Sequence, residues 1–219
     1  MKLVIKFPTR GRSSKFLFAI KQYIDYLDDK STQIIVTCDN DDEDMKQPHI
    51  KEVLSKYNNI TLLFGDNKGK IDAINADIEN INFDIILLAS DDMLPKVKGF
   101  DTIIKNEMIK NFSDTDGVLW FNDGHKKNTL NTLCILGKKY YERFNYIYYP
   151  NYISVWCDNE FMDVANILNK QKYFDKVIIE HQHPDWGFGN RDEIHILNSK
   201  HEKHDRELYN KRKSLNFEL

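Results

Sequence analysis

The sequence predicts an α/β protein with a mixed, mostly parallel sheet and helices on both faces of that sheet. Strand-like and helical patterns alternate through the first 95 residues, which is the order produced by successive strand–helix units. The strand-like runs are almost continuously apolar, as expected where both faces of a strand are buried. The composition agrees, since 41 % of the 219 residues are hydrophobic and 30 % are charged, as in globular domains.

The first half of the chain holds four short apolar or β-branched runs. They predict strands at residues 3–7, 33–38, 60–64 and 84–89. Pro8 closes the first run. Phe16, Ile20 and Ile24 then recur at helical spacing behind a pair of serines, a residue type that caps helices. Further helices are expected near residues 49–57 and 71–78.

The second half of the chain is less regular. We expect helices at residues 100–110 and 158–169, strands at 117–121, 132–136 and 177–180, and a polar, helical tail over 191–213. No internal repeat or Pro/Gly/Ser-rich linker divides the chain, so we predict a single domain over residues 1–219.

Charge and cysteine content exclude several classes of protein. The 34 acidic and 31 basic residues give a net charge of −3, which offers no overall attraction to nucleic acid or anionic lipid. Cys38, Cys134 and Cys157 form neither a disulfide framework nor a zinc pattern, which favours a reducing cytoplasm. No apolar run approaches the ~20 residues that span a bilayer, and the first residues lack a secretory pattern. We therefore expect a cytoplasmic protein without a membrane span.

Polar segments follow each of the four predicted strands. Right-handed crossovers bring the carboxyl ends of such strands to one edge of the sheet, where open α/β sheets bind ligands. The segments that would meet there are Thr9-Arg10-Gly11-Arg12, Asp39-Asn40, Gly65-Asp66-Asn67-Lys68 and Ser90-Asp91-Asp92.

Four cations and one acid at this edge suit a nucleotide. Arg10, Arg12, Lys68 and Lys70 could neutralise a diphosphate, although ordinary surface charge is the simpler interpretation of each one. Asp39 could accept hydrogen bonds from a base or ribose. The acids at 41–44 that follow it are expected to form a solvated loop.

The strongest single motif is Ser90-Asp91-Asp92. Two hard carboxylates directly after an apolar strand suit Mg²⁺ or Mn²⁺ bridging a diphosphate. The alternative is a solvated turn or helix cap, which Asp also favours.

Two histidines follow the last predicted strand. Residues two apart on an extended segment face the same side, so His181 or His183 could add an imidazole to a metal held by the aspartates. We favour His183, because it lies closer to the turn at 184–187. A surface histidine is the competing interpretation for each.

Asp158 and Glu160 begin the helix expected at 158–169. Either could be the general base that removes a proton from an acceptor hydroxyl, and either could simply cap the helix. Trp156 and Tyr152, just before that helix, could stack on a sugar or aromatic acceptor, or could belong to the core.

Several other nucleotide and hydrolase patterns are absent from the sequence. There is no phosphate loop of the form Gly-x-x-x-x-Gly-Lys-Ser/Thr, no Gly-x-Gly-x-x-Gly and no Gly-x-Ser-x-Gly. This weakens a P-loop, dinucleotide-binding or α/β-hydrolase interpretation.

The chain resembles family-2-like glycosyltransferases of the GT-A fold, well over residues 3–95 and loosely beyond. The matching stretches are Phe7-Pro8-Thr9-Arg10-Gly11-Arg12, Asp39-Asn40, Asn67-Lys68-Gly69-Lys70 with Ala73 and Asn75, and the DXD-like Leu88-Ala89-Ser90-Asp91-Asp92-Met93-Leu94-Pro95. The resemblance implies a GT-A (Rossmann-like) sheet, with residues 1–95 binding the nucleotide-sugar and 96–219 binding the acceptor and supplying a C-terminal helix.

The same resemblance implies a function and a set of site residues. It implies an inverting transfer of a sugar from a nucleotide-diphospho-sugar, most often a UDP-sugar, to an acceptor hydroxyl, with Mn²⁺ or Mg²⁺ as cofactor. Asp91 matches the last acid of the DXD motif and Asp92 the acid after it, while Ala89 replaces the first acid. The implied metal ligands are Asp91, Asp92 and His183, and the implied base is Asp158 or Glu160. The implied substrate-contacting residues are Pro8, Thr9, Arg10, Arg12, Asp39, Asn67, Lys68, Lys70, Ser90, Asp91 and Trp156.

Two other functions compete with sugar transfer. A sugar nucleotidyltransferase also uses an α/β sheet and Mg²⁺, but it carries a glycine-rich loop after the first strand, where this chain has a single glycine. A non-catalytic nucleotide- or carbohydrate-binding module is the other alternative.

The acceptor and the oligomeric state are not fixed by the sequence. A saccharide is the common acceptor, and the basic tail (Lys200, Lys203, Arg206, Lys211, Arg212 and Lys213) could instead touch a modified nucleic acid. The acids Glu202, Asp205 and Glu207 within the tail favour a solvated helix with opposite-charge pairs. The tyrosine-rich segment 140–152 could line an acceptor groove or a dimer contact.

Overall fold

The computed structural model describes residues 1–188 and 199–219. Its strands are β1 (Leu3–Pro8), β2 (Gln33–Asp39), β3 (Ile60–Gly65), β4 (Ile85–Leu88), β5 (Met93–Pro95), β6 (Val118–Phe121), β7 (Ile135–Gly137), β8 (Gln171–Phe174) and β9 (Ile179–His181). Its helices are α1 (Ser13–Tyr26), α2 (Pro48–Leu54), α3 (Lys70–Asn75), α4 (Phe100–Asn111), α5 (Lys138–Tyr141), α6 (Cys157–Ile167) and α7 (Glu202–Ser214), with 3₁₀ turns at Pro184–Trp186 and Asn216–Glu218.

Seven strands form one sheet in the order β3-β2-β1-β4-β7-β6-β8. Strands β1 to β4 are all parallel, and β7 is antiparallel to both of its neighbours. The predicted mixed, mostly parallel α/β sheet is therefore confirmed, and the carboxyl ends of β1 to β4 share one edge. The two-stranded sheet of β5 and β9 lies apart from this large sheet.

Apolar side chains on the two faces of the sheet build two separate cores. Leu3, Ile5 and Phe7 of β1 point to the face covered by α1 and α4, while Val4 points to the face covered by α3 and α6. Both cores contain fully buried aromatic rings, and Phe7 meets Phe16 of α1 edge to face at 5.2 Å. This burial on both faces is the reason that the strands read as continuous apolar runs.

One charged residue of β1 breaks the apolar pattern. Lys6 is completely buried, and its ammonium donates hydrogen bonds to the hydroxyl of Thr37 and, at 2.7 Å, to the carbonyl of Ala76 just after α3. Burial lowers the pKa of Lys6 to about 8, although Asp77 at 3.9 Å opposes the shift. Lys6 thus connects the centre of the sheet to the end of α3.

Several elements differ from the sequence prediction, which contained neither β5 nor α5. Strand β8 was not expected because it is a half-exposed edge strand with a polar start, and so lacks the apolar run of the central strands. The predicted last strand, 177–180, lies one to two residues further on and pairs with β5 rather than with the large sheet. The predicted tail helix begins at Glu202, and residues 191–198 of that prediction lie outside the described residues.

The tyrosine-rich segment is largely core. Tyr140, Tyr148 and Tyr152 are all buried, and Tyr148 packs edge to face on Phe161 of α6. These three rings therefore support α6 and are not exposed to line a groove or a dimer contact.

The C-terminal helix α7 is fastened to α6 by a buried ion pair. Arg212 Nε lies 2.8 Å from Glu160 Oε2, and both side chains are only 6 % exposed. Tyr209 and Lys213 of α7 both donate to the carboxylate of Asp163. The exposed face of α7 instead carries the expected opposite-charge pairs, such as Arg206 with Glu202 at 3.6 Å. Within the described part of the chain, no helix combines the length and the apolar character needed to span a membrane.

The ion pair between α6 and α7 gives a test of stability. Arg212→Ala should lower the free energy of unfolding by about 3–5 kcal/mol, because it leaves the Glu160 carboxylate buried without its charged partner. Urea unfolding followed by circular dichroism measures this difference. Arg206→Ala, on the solvent side of the same helix, is the control and should change stability far less. Equal effects of the two substitutions would contradict the buried pair as the fastening of α7.

Candidate functional site

The hydrogen-bonded ladder between β1 and β2 continues to the carboxyl ends of both strands. Pro8 pairs with Thr37 in the β1–β2 ladder, and the Thr9 amide continues the ladder by donating to the Thr37 carbonyl at 3.0 Å. The Thr9 hydroxyl is buried and has no hydrogen-bond partner among the described residues. The loop that follows carries Arg10 and Arg12 to the edge of the sheet.

Acidic residues after β2 hold this loop in place. Asp42 is buried and accepts hydrogen bonds from the amides of Gly11 at 2.8 Å and Met45 at 3.1 Å. Asp44 accepts from both the amide and the hydroxyl of Ser13 at the start of α1. The expectation of a solvated acidic loop was therefore wrong for Asp42 and Asp44, because their carboxylates satisfy backbone donors that the turn leaves unpaired, whereas Asp41 and Glu43 are exposed as expected.

Arg10 is engaged by acids rather than presented to a ligand. Its guanidinium lies 2.5 Å from Asp39 and forms two further hydrogen bonds with the Asp41 carboxylate. Asp39 also accepts from the side-chain amide of Asn67 at 2.9 Å. The structure thus brings together the predicted residues Arg10, Asp39 and Asn67, but Arg10 neutralises Asp39 and its charge is not free for a diphosphate.

The end of β4 carries the two adjacent carboxylates. Asp91 Oδ1 lies 3.1 Å from an Arg12 guanidinium nitrogen, and both side chains are largely buried. Burial raises the pKa of Asp91, with Asp92 acting in the same direction and Arg12 opposing it.

Asp92 faces an imidazole across the small sheet. Its carboxylate accepts a hydrogen bond from the Ser90 hydroxyl, and its other oxygen lies 3.5 Å from His181 Nε2. Burial works against ionisation of Asp92. The contacts with His181 and Ser90, helped by Lys70, outweigh it and hold the pKa of this carboxyl well below its usual range.

The ladder of β5 and β9 explains why His181, and not His183, meets Asp92. Met93 pairs with His181, and the amide of Gln182 donates to the Asp92 carbonyl at 2.7 Å. His183 lies beyond the ladder, where the chain turns into the 3₁₀ turn Pro184–Trp186, and its ring packs 5.4 Å from that of Trp186. The sequence-based preference for His183 is therefore replaced by His181 as the imidazole beside the aspartate.

Two lysines flank the start of α3. The Lys68 side chain is exposed, and its amide donates to the Asp72 carboxylate at 3.1 Å. The Lys70 ammonium lies 3.4 Å from the carbonyl of Ser154 and lowers the pKa of both Asp92 and Asp158. Lys70 is thus the cation that is close to both sides of the site.

Asp158 stands in the first turn of α6. It accepts a hydrogen bond from the Asn159 amide at 2.9 Å. Burial raises the pKa of Asp158, although Lys70 and His181 oppose the shift. Lys70 and His181 therefore act electrostatically on both Asp158 and Asp92, and we take these four side chains as the candidate site.

Glu160 does not belong to this group of side chains. Its carboxylate is buried between the guanidinium of Arg212 and the hydroxyl of Tyr152, which donates at 2.7 Å. Trp156, also expected at the site, packs its ring 5.1 Å from Tyr209 of α7. The helical period explains why Glu160 and Asp158 point in different directions, since residues two apart on a helix are rotated by about 200° around its axis.

Two residues, Asn75 and Asp205, have backbone-holding roles that sequence reasoning did not assign. Asn75 holds the segment at 147–148 by three hydrogen bonds to backbone groups. Asp205 of α7 accepts from three consecutive amides just before α6. Neither had a sequence signal of this role, because each partner lies 50 or more residues away along the chain.

A divalent cation would find only part of its ligand shell in the protein. Among residues 1–188 and 199–219, no three His, Cys, Asp or Glu side chains are grouped around a common point. Asp92 and His181 nevertheless offer a carboxylate oxygen and an imidazole nitrogen 3.5 Å apart, with Asp91 adjacent in sequence. This mixed donor pair fits an ion such as Mn²⁺ that takes its remaining ligands from a substrate and water.

Comparisons with known proteins identify the fold. No protein-family model and no curated protein matches the sequence. The structure is similar to the mannosyltransferase PcManGT from Pyrobaculum calidifontis in complex with GDP-Man and Mn²⁺, with a TM-score of 0.66 and 12 % identity over 85 % of this chain and 58 % of that one. It is also similar to TarS 1–349 from S. aureus in complex with UDP-GlcNAc, with a TM-score of 0.65 and 14 % identity over 82 % of this chain and 58 % of that one.

These similarities confirm the GT-A fold that the motifs implied. The chain spans 58–60 % of the length of PcManGT and TarS 1–349.

The buried acid of the first loop gives a test of the site's scaffold. Asp42→Ala should lower the free energy of unfolding by about 2–3 kcal/mol, because it leaves the amides of Gly11 and Met45 without an acceptor. Guanidinium unfolding measures the loss. Asp41→Ala is the matched control next to it, since that carboxylate is exposed and should matter much less. If Asp42→Ala lowered the free energy of unfolding no more than Asp41→Ala, the role of Asp42 in holding the loop would be contradicted.

Proposed function

We propose that this protein is a glycosyltransferase that moves a sugar from a nucleotide-diphospho-sugar to an acceptor hydroxyl. One observation carries the proposal: in a GT-A fold, His181 lies 3.5 Å from Asp92 and, together with Lys70, lowers the pKa of both Asp92 and Asp158. Two carboxylates with different environments and a cation that acts on both suit a reaction in which one carboxylate removes a proton and an anion departs elsewhere in the site.

Asp158 is the proposed general base. Its raised pKa and partial burial suit a carboxylate that takes the proton of the acceptor hydroxyl. As the acceptor oxygen forms its bond to the anomeric carbon, the bond from that carbon to the diphosphate oxygen breaks, and its electron pair leaves with the diphosphate. A base on the face opposite the leaving group would give inversion at the anomeric carbon. Glu160 is a poor second candidate, since Arg212 and Tyr152 occupy its carboxylate.

Lys70 and the Asp92–His181 pair are proposed to receive the diphosphate. Lys70 contributes a positive charge, and Arg12 would add a second one if a bound diphosphate shared it with Asp91. A divalent ion, Mn²⁺ or Mg²⁺, held by Asp92 and His181 with Asp91 beside them would offset the charge that develops on the leaving group.

Asp39 and Asn67 are proposed to contact the nucleotide. They lie at the ends of β2 and β3, on the same edge as Asp91, and their polar groups are linked at 2.9 Å. Pro8, Thr9, Lys68 and Ser90 remain proposed as the lining of the donor site. A UDP-sugar donor and a saccharide acceptor are the substrates that the family resemblance favours. TarS was solved with UDP and with UDP-GlcNAc, and PcManGT with GDP-Man.

A screen of donors tests this proposal. Melting temperature is measured with UDP-, GDP-, CMP- and dTDP-sugars, each with and without Mn²⁺. We expect a UDP-sugar to raise the melting temperature only when the cation is present, because ligand binding to the folded state stabilises it. His181→Ala should remove the cation-dependent increase, whereas His183→Ala should retain it. Stabilisation by a sugar nucleotide without turnover or hydrolysis of the donor would favour the non-catalytic binding module.

The base gives a second test. Asp158→Asn should lower kcat for sugar transfer by about 10²–10⁴-fold, the usual contribution of a general base. In the wild-type protein, kcat should rise with pH along an acidic limb, because the base must be ionised. The midpoint of that limb should lie above the usual pKa of a carboxyl group, because the pKa of Asp158 is raised. Asp163→Asn, on the same helix but bound to Tyr209 and Lys213, is the control and should keep both kcat and the limb. Full activity of Asp158→Asn would exclude this base.

A further inference from the structure

We infer that Asp205 of α7 is a positioning residue for the proposed transfer. Its carboxylate holds a backbone segment that leads into the helix of Asp158, and a carbonyl of the same segment contacts Lys70. The inference rests on the function proposed above. It assigns a role in the site to a helix that the sequence predicted as a solvated, charged tail.

Asp205 is completely buried, and its carboxylate is saturated by donors from one short segment. The amides of Ile153, Ser154 and Val155 lie 3.1, 2.8 and 2.9 Å from its oxygens. His204 adds a fourth contact at 3.0 Å. Three consecutive amides that converge on one acceptor fix the peptide planes of the segment, since each hydrogen bond to a charged acceptor is stronger than a neutral one.

The segment held by Asp205 touches the binding side of the site. The carbonyl of Ser154 accepts the hydrogen bond from Lys70 at 3.4 Å, so the same residue is fixed through its amide by Asp205 and through its carbonyl by Lys70. A shift of this peptide would move the acceptor that orients the Lys70 ammonium.

The same segment leads directly into the catalytic helix. Trp156 follows it with a left-handed φ of 65°, and α6 then begins at Cys157 with Asp158 in its first turn. A bulky residue holds this conformation only where its surroundings enforce it. The Asp205 hydrogen bonds before it, together with the packing of the Trp156 ring on Tyr209, supply that constraint from α7.

Two other carboxylates at the interface of α6 and α7 have no such connection. Asp163 contacts Tyr209 and Lys213, and Glu160 contacts Arg212 and the hydroxyl of Tyr152, so neither accepts a hydrogen bond from the backbone at 153–155. The interface therefore contains a natural control: loss of Asp163 loosens helix packing, whereas loss of Asp205 releases the backbone beside the base.

The test compares Asp205→Asn with Asp163→Asn in the full chain. We expect Asp205→Asn to lower kcat for transfer by about 30- to 100-fold, the scale of effect of a small misplacement of a reacting group, with a smaller change in donor KM. The acidic limb of its pH profile should also move to lower pH, because a loosened segment admits water to Asp158 and relieves the burial that raises its pKa. Asp163→Asn should change neither kcat nor the limb.

A purely structural role would give a different result. If Asp205→Asn lowered only the melting temperature, and left kcat and the limb as in Asp163→Asn, the inference would be overturned. Should Asp205→Asn not fold, Asp205→Glu keeps the charge and displaces it by one methylene, and we expect at least a fivefold loss of kcat with the same movement of the limb. Unchanged kcat in Asp205→Glu would equally overturn the inference.

Hydrogen exchange separates this inference from the proposed function. Faster exchange of the amides at 153–155 in Asp205→Asn tests the hydrogen bonds whether or not the protein is an enzyme. A wild-type chain that transfers no sugar from any tested donor would sink the proposed function. An active wild-type chain with an equally active Asp205→Asn would sink only the inference.

Discussion

The short ladder between β5 and β9 is the constraint on which the candidate site depends. Its register sets Met93 opposite His181, and the next amide, that of Gln182, donates to the carbonyl of Asp92. This brings an imidazole from residue 181 to the carboxylate of Asp92, which lies just after β4 and 89 positions earlier in the chain. Because side chains alternate along a strand, a shift of one residue would turn that imidazole to the other face.

Buried carboxylates act as scaffold throughout the molecule. Asp42 holds the loop after β1, Asp101 accepts the amides of Asp28 and Asp29 after α1, and Asp205 holds the segment before α6. In each case a carboxylate satisfies backbone amides that turns leave without partners. The net charge of −3 therefore says little about binding partners, since many of the acids that produce it are engaged inside the protein.

The basic residues divide in a similar way. Arg10 is held by Asp39 and Asp41, and Arg212 by Glu160, so these guanidinium groups serve the fold. Arg12 and Lys70 instead stand beside the carboxylates at the edge of the sheet. Arg10 and Arg212 suit the first role because the planar donors of a guanidinium can bind carboxylates at more than one nitrogen, whereas the flexible Lys70 stands where a ligand can compete for its charge.

The sequence by itself determined the α/β class, the four parallel strands and the edge where Asp91, Asp92 and Asp39 gather. Local periodicity and the handedness of crossovers are enough for that, since both are set within successive strand–helix units. Only the tertiary structure decided that His181 rather than His183 meets Asp92 and that Glu160 belongs to Arg212. Those choices depend on the register of β5 with β9 and on the docking of α7, which join distant parts of the chain and leave no periodic signal in the sequence.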